Sequence, residues 1–208
     1  NALGGTVPSF AHHSLLTGPQ GESLSKRLGV LSIRDLRESG IEPEALLSLM
    51  ARLGSSQPVE LRLSLEEIAE GFELSQFGSA PTKFDVNDLY PLTARKLHGL
   101  PLSAVADEIA ALGVPADKAE LFWSVTRENI ETRKDLAGWW ALFRDGAEPV
   151  IADEDRDFIA EAMAILPEGP LTQDSWGAWT QAVKEQTGRK GKGLFLSLIH
   201  ISEPTRPY

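Results

Sequence analysis

From Glu42 to Gly188 the apolar residues return every three or four positions, and run after run stops at a glycine or a proline. That spacing is the period of an amphipathic α-helix, whose buried stripe recurs at i, i+3, i+4 and i+7. A chain patterned this way must fold as packed helices, because a strand needs a period of two to bury one face. "EPEALLSLMARLG" puts Pro43 at a first helical position, Leu46, Leu47, Leu49, Met50 and Leu53 on the apolar side, and Gly54 where the helix should end. "SLEEIAEGF" opens on a capping box, Ser64 at the N-cap with Glu67 three residues on. "FDVNDLYPLTARKLHGLP" reads as a helix opened by Asp85 that restarts or kinks at Pro91, and "LSAVADEIAALGVP" as one capped by Ser103 and stopped by Gly113 and Pro115. The same periodicity runs through "ADKAELFWSVTRENI", "TRKDLAGWWALFRDG", "DEDRDFIAEAMAIL" and "TQDSWGAWTQAVKEQTG". About seven helices on short links make residues 60–190 all-α. No repeat of fixed period is present.

The two ends depart from this pattern. Residues 1–33 mix short β-like runs with Gly, Pro and Ser, and carry no basic and apolar leader of the secretory kind. Residues 197–208, within "SLIHISEPTRPY", have no helical or strand logic and read as a non-native tail of the kind a translated sequencing adaptor leaves. With 208 residues, 42% hydrophobic and 24% charged, the chain falls in the ordinary globular class, and no apolar run is long enough for a membrane span. Zero cysteines exclude a disulfide framework and a thiolate zinc site, which suits a reducing cytoplasm. The net charge of -10 argues against a general nucleic-acid binder, but the charge is unevenly placed. Acids dominate residues 148–174, where Arg156 is the lone base; residues 175–192 are basic, with Lys184, Arg189, Lys190 and Lys192 against Glu185. A polyanion could be met there and repelled elsewhere.

Just past a Gly-Pro-Gln-Gly turn stands "ESLSKR", residues 22–27. A lysine on a Gly-flanked loop can meet phosphate oxygens as a mobile point charge, with hydroxyls and amides beside it. By itself such a triplet is most often a solvated surface loop. Its context is "FAHHSLLTGPQGESLSKRLGVLSIRDLRESGIEPEALLSLMARLGSS", followed by "FELSQFGSAPTKFDVNDLYPLTARKLHGLP" and "WGAWTQAVKEQTGRKGKGLF". In that order, over residues 1 to about 196, the chain resembles the bacterial-type glutamyl-tRNA synthetases from their KMSKS loop onward. A Phe-Ala-His segment leads to a Leu-Leu pair, a Gly/Pro turn, a Leu-Ser-Lys-Arg form of the signature and a Pro-Glu-Ala-Leu-Leu helix.

The resemblance implies a mainly α fold: residues 1–100 as the C-terminal end of a class I catalytic domain with its KMSKS-like loop and stem-contact helices, and residues 101–196 as an all-helical anticodon-binding region. It implies activation of glutamate by ATP with Mg2+ and transfer to tRNA(Glu), with tRNA(Gln) open as an additional partner, by a cytoplasmic monomer with no zinc site in this part. Lys26 becomes the loop lysine that steadies the ATP phosphates, with Ser25 and Arg27 beside it, and Leu15 and Leu16 fall where the family holds adenine through backbone groups. One departure is Ser23, which stands at the signature's first lysine and removes a cation from the loop. The HIGH-type half of the machinery is absent from this sequence, so the chain alone is expected to be inactive.

Other candidates have plainer readings beside their functional ones. His12 and His13 are adjacent in an extended segment, point to opposite faces and lack a partner at ligand spacing, which favours packing or solvent over a metal. Asp153, Glu154 and Asp155 could mimic a hydrolase dyad but fit a helix start, where acids complement the dipole. Trp123, Trp139, Trp140, Trp176 and Trp179 could stack on bases; Trp176 and Trp179 share a helical face, which favours core. The resemblance makes Arg95, Lys96, Arg127, Arg133, Arg189, Lys190 and Lys192 tRNA-binding candidates, against ordinary surface charge. The rival from another class is a free-standing helical module that binds tRNA or protein without catalysis.

Overall fold

The helical pattern resolves into nine α-helices among the described residues of the computed structural model, which are 4–6, 8–24, 32–146, 151–169, 172–195 and 198. They are α1 (Ile33–Ser39), α2 (Pro43–Met50), α3 (Leu65–Ala69), α4 (Leu89–His98), α5 (Ala106–Ala111), α6 (Ala119–Thr126), α7 (Asp135–Asp145), α8 (Arg156–Ala164) and α9 (Gln173–Thr187). Two short strands, β1 (Leu16–Thr17) and β2 (Thr82–Lys83), pair in parallel, so one extended segment interrupts the range expected to be all-α. The chain divides into two compact units, residues 1–140 and 141–208.

In the first unit α4 carries the packing. Its Leu89 and Leu92 join Leu36, Ile41, Ala45, Leu49 and Phe84 in one apolar cluster, built from α1, α2 and the segment after β2. One turn further on, Leu97 enters a second cluster with Val105, Ile109, Val114, Phe122, Trp123, Ile130 and Leu136. Buried indole N–H groups need acceptors, and Trp123 Nε1 donates to the Leu100 carbonyl at 3.0 Å. His98 Nε2 donates to the Ile130 carbonyl at 3.0 Å, tying the end of α4 to the loop before α7. Between α1 and α2 the chain turns at Gly40, whose φ of +90° is a left-handed conformation. A Cβ there would stand 2.9 Å from Thr132 Cβ, so glycine is also required for close approach.

Several helix starts differ from the sequence expectation. Pro91 causes no restart: α4 begins at Leu89, which puts Pro91 in the first turn, where a missing amide costs no intrahelical bond. Asp85 caps a short 3₁₀ turn, Val86–Asp88, through Asn87 N–H at 2.9 Å. Ser103 is not the cap of α5; it lies inside a 3₁₀ turn, Leu102–Ala104, and α5 starts after Val105 with no side-chain cap. The Ser64 hydroxyl does accept from Glu67 N–H at 3.1 Å, while the Glu67 carboxylate reaches back to Leu63 N–H, one residue earlier than a capping box requires. α2 ends at Met50, and Gly54, at φ +89°, closes the turns that follow it.

The second unit packs α8 against α9. Phe158, Ile159 and Ala162 meet Trp179, Val183, Leu194 and Leu198. Leu198 belongs to the stretch expected to be foreign, yet its side chain is buried here. Trp179 Nε1 donates to the Ala162 carbonyl at 2.8 Å. Trp176, on the same helical face, is 46% exposed and meets Trp179 edge-on at 5.5 Å, so the pair straddles the core boundary.

Candidate functional site

The strand before the Ser-Lys-Arg loop is held on both edges. Thr82 N–H donates to the Leu15 carbonyl at 2.9 Å and Phe84 N–H to the Thr17 carbonyl at 2.8 Å. These bonds set Leu16 opposite Thr82 and Thr17 opposite Lys83. On the other edge the chain turns over Pro19 and Gln20 and comes back: Gly18 N–H donates to the Glu22 carbonyl at 2.8 Å, and Thr17 bridges Ser23 in antiparallel sense. β1 is therefore the middle of three extended stretches. Ser14 Oγ and Thr82 Oγ1 share a hydrogen bond of 2.7 Å on one face, and Gly54 approaches both so closely that a Cβ would lie 2.7 Å from Thr82 Oγ1.

The described chain runs to Leu24 and resumes at Ser32, whose hydroxyl accepts from Asp35 N–H at 3.1 Å while the Asp35 carboxylate accepts from Ser32 N–H at 2.7 Å. The amide and hydroxyl of Ser32 hold the Asp35 carboxyl below its ordinary pKa. Ser25, Lys26 and Arg27 lie outside the described residues. Leu15 is exposed and Leu16 half-buried, and the Leu15 carbonyl is already engaged by Thr82.

A second gathering of charge lies where α2, α4, α5 and the loop before α7 meet. Glu42, at the N-cap of α2, accepts from Lys96 Nζ at 2.6 Å and from Arg133 Nε at 2.8 Å. Lys96 also pairs with Glu44 at 2.5 Å, and Arg133 Nη1 with Glu108 at 2.7 Å. The Glu42 side chain is 10% exposed and that of Lys96 14%, so the centre of this chain of five charges is largely out of water, while Glu108 at its end is 46% exposed. Burial pushes the Glu42 pKa up, but the hydrogen bonds and charges of Arg133 and Lys96 outweigh it and hold the carboxyl below the usual range. Burial likewise pulls Lys96 down, and Glu42 and Glu44 together raise it above an ordinary lysine.

The basic candidates thus separate by environment. Lys96 and Arg133 have their charge balanced by carboxylates inside the protein. Arg95, Lys190 and Lys192 are exposed. Arg127 is half-buried: its Nη2 lies 4.0 Å from Glu128, and its Nε is buried without a hydrogen-bond partner among the described residues. Arg189 stacks over Phe158, 4.2 Å from the ring centroid, and pairs with Asp155. His12 and His13 are exposed, and His13 Nδ1 meets the Ser14 carbonyl at 2.8 Å. Among the described residues no three His, Asp or Glu side chains are grouped to hold a metal ion, and no helix is long and apolar enough to cross a membrane.

Sequence reasoning passed over Glu42, Glu44, Glu108 and Lys83. The two acids flanking Pro43 look like ordinary first-turn residues, and only the fold brings Arg133 to Glu42 and Lys96 to both.

Residues 1–91 match the family model for the catalytic domain of class I tRNA synthetases (E and Q). Over 197 residues the chain is 72% identical to glutamate–tRNA ligase 1 of Ruegeria pomeroyi, covering 95% of this chain and 44% of that protein. It is 70% identical over 197 residues to glutamate–tRNA ligase 2 of Dinoroseobacter shibae, covering 95% of this chain and 45% of that one. The chain therefore spans less than half the length of the curated relatives it matches. Its fold resembles a crystal structure of a glutamate tRNA ligase from Elizabethkingia meningosepticum, with a TM-score of 0.64 at 20% identity, over 91% of this chain and 44% of that one.

Proposed function

We propose that this chain is the C-terminal part of a bacterial-type glutamate–tRNA ligase, in which residues 1–100 close the catalytic domain and residues 101–196 form a helical anticodon-binding region. The observation that carries the reading is the 72% identity to a glutamate–tRNA ligase over 95% of the chain. The match of the catalytic-domain model to residues 1–91 supports a catalytic-domain segment in the first part of the chain, and the helices after it suit the second part. The substrates are glutamate, ATP and tRNA(Glu), with tRNA(Gln) as a second acceptor to be tested, and the enzyme works as a monomer in the cytoplasm. Mg2+ enters with the nucleotide as part of the substrate.

In the first step a glutamate carboxylate oxygen bonds to the α-phosphorus of ATP. The bond from that phosphorus to the α,β-bridging oxygen breaks, and pyrophosphate leaves with the electron pair. In the second, the 2'-hydroxyl of the terminal adenosine attacks the glutamyl carbonyl, loses its proton, and AMP departs. Lys26, with Ser25 and Arg27 beside it, meets the charge that grows on the leaving pyrophosphate, the place where a fixed cation lowers the barrier. The peptide groups at Leu15 and Leu16 hold the adenine, the Leu15 carbonyl being shared with Thr82 N–H. The exposed Arg95 of the first unit and the exposed Lys190 and Lys192 of the second contact tRNA, as do the half-buried Arg127 and Arg189 of the respective units. Lys96 and Arg133 act on tRNA indirectly, by fixing the joint from which neighbouring helices project.

The test uses a full-length chimera in which this chain replaces the matching 197 residues of the Ruegeria pomeroyi protein. It should charge tRNA(Glu) with glutamate, and Lys26→Ala should slow glutamate-dependent pyrophosphate exchange by roughly 10²–10³. A chimera that binds tRNA and neither exchanges nor charges would leave only the helical binding module.

A further inference from the structure

Ser23, Thr17 and Lys83 form one row across the three extended stretches, since Thr17 is paired with Lys83 on one side and with Ser23 on the other. Directly opposed residues project from the same face of a sheet, and residues two apart on a strand share that face. Leu15 therefore lies on the face of Thr17, Ser23 and Lys83, while Ser14, Leu16, Thr82 and Phe84 lie on the other. Ser14 and Phe84 are buried on that second face; on the first, Leu15, Ser23 and Lys83 are exposed and Thr17, between Ser23 and Lys83, is buried. Neighbouring strands run about 4.8 Å apart, which puts the Lys83 backbone roughly 10 Å from Ser23. A flexible four-carbon stem bridges much of that gap.

The acids closest to this row in sequence are engaged elsewhere. The Glu22 carboxylate accepts from Gln20 N–H at 3.0 Å and the Asp85 carboxylate from Asn87 N–H at 2.9 Å. Among the described residues no carboxylate forms an ion pair with Lys83.

Resting on the reading of this chain as part of an ATP-dependent ligase, we propose that Lys83 supplies from β2 the cation that the loop lacks at Ser23, and that its ammonium meets phosphate oxygens of the bound nucleoside triphosphate. As the α-phosphorus bond to the bridging oxygen breaks, charge grows on the pyrophosphate, and a lysine rooted on the sheet adds to the charge that Lys26 and Arg27 bring from the loop.

In the full-length chimera, Lys83→Ala should slow glutamate-dependent pyrophosphate exchange by roughly a hundredfold and leave tRNA affinity unchanged, while Lys83→Arg keeps most of the rate. Adding Ser23→Lys to Lys83→Ala should restore exchange, because it returns a cation to the same row from the other side; a purely structural lysine would not be rescued in this way. If Lys26→Ala abolishes exchange and Lys83→Ala does not alter it, Lys83 is no phosphate ligand and the ligase reading stands. Loss of exchange in Lys83→Ala that neither Arg at 83 nor Lys at 23 repairs also overturns the proposal. A chimera without glutamate-dependent exchange in any form overturns the ligase reading, and the role of Lys83 falls with it.

Discussion

Glu42 faces two cations and has almost no water, so removing its charge leaves Lys96 and Arg133 beside a neutral group where solvent reaches poorly. Breaking a buried pair by deleting one partner typically costs about 3–5 kcal/mol. Because Arg133 keeps Glu108 and Lys96 keeps Glu44, Glu42→Gln should fall near the lower end, about 3 kcal/mol at pH 7. The folded-state pKa of Glu42 is depressed, so its contribution is complete above the unfolded carboxylate value and is lost as pH falls through the folded one. Lys96 is raised, so its contribution is complete below the unfolded lysine value and is lost only as pH climbs through the folded one. Urea denaturation followed by the fluorescence of buried Trp123 should show the gap between wild type and Glu42→Gln closing from pH 7 toward pH 3; a gap that stays constant would rule out the charge as its cause. At this scale the joint was illegible in the sequence, because Arg133 stands 91 positions from Glu42. The same limit hid Lys83, whose row exists only once β2 has been brought to β1.

α4 decides how the first unit holds together, since ten residues serve two apolar clusters. Leu89 and Leu92 sit on the α2 side, and Leu97 enters the cluster around Trp123. Leu97 is fully buried, so Leu97→Ala removes its transfer free energy and leaves a cavity that Trp123 and Ile109 cannot close. The expected loss is about 3 kcal/mol, and denaturation at neutral pH checks it; a loss under about 1 kcal/mol would mean that the cluster can collapse around the gap. The apolar period made this helix and its neighbours readable without coordinates. Their first turns were less readable, because Pro91 suits either a break or an early helical position and only the start at Leu89 decides. At Ser103 a polar residue before an apolar run looked like a cap, yet the chain forms a 3₁₀ turn first and buries Val105.

Across the whole chain a net charge of -10 opposes any polyanion, so the tRNA binding proposed above has to come from local basic groups strong enough to outweigh the mean field. Composition showed that tension, and the structure sharpens it: two of the candidate cations are neutralised inside the first unit, while Lys190 and Lys192 stay exposed in the second. Phosphate contacts release counterions, which makes binding fall with salt at a slope of about 0.7–0.9 per contact, whereas hydrogen bonds to bases leave the slope nearly unchanged. Replacing Lys190 and Lys192 by alanine in the full-length chimera should therefore weaken tRNA binding and flatten the plot of log affinity against log salt by roughly 1.4–1.8. Lys96→Met should leave that slope as it is, because its charge is already matched by Glu42 and Glu44. Filter binding of tRNA(Glu) from 50 to 300 mM salt, about the range in which such slopes are read, separates these cases. Equal slopes for wild type and the double variant would place Lys190 and Lys192 away from the phosphates, and a flattened slope for Lys96→Met would return that lysine to the RNA face.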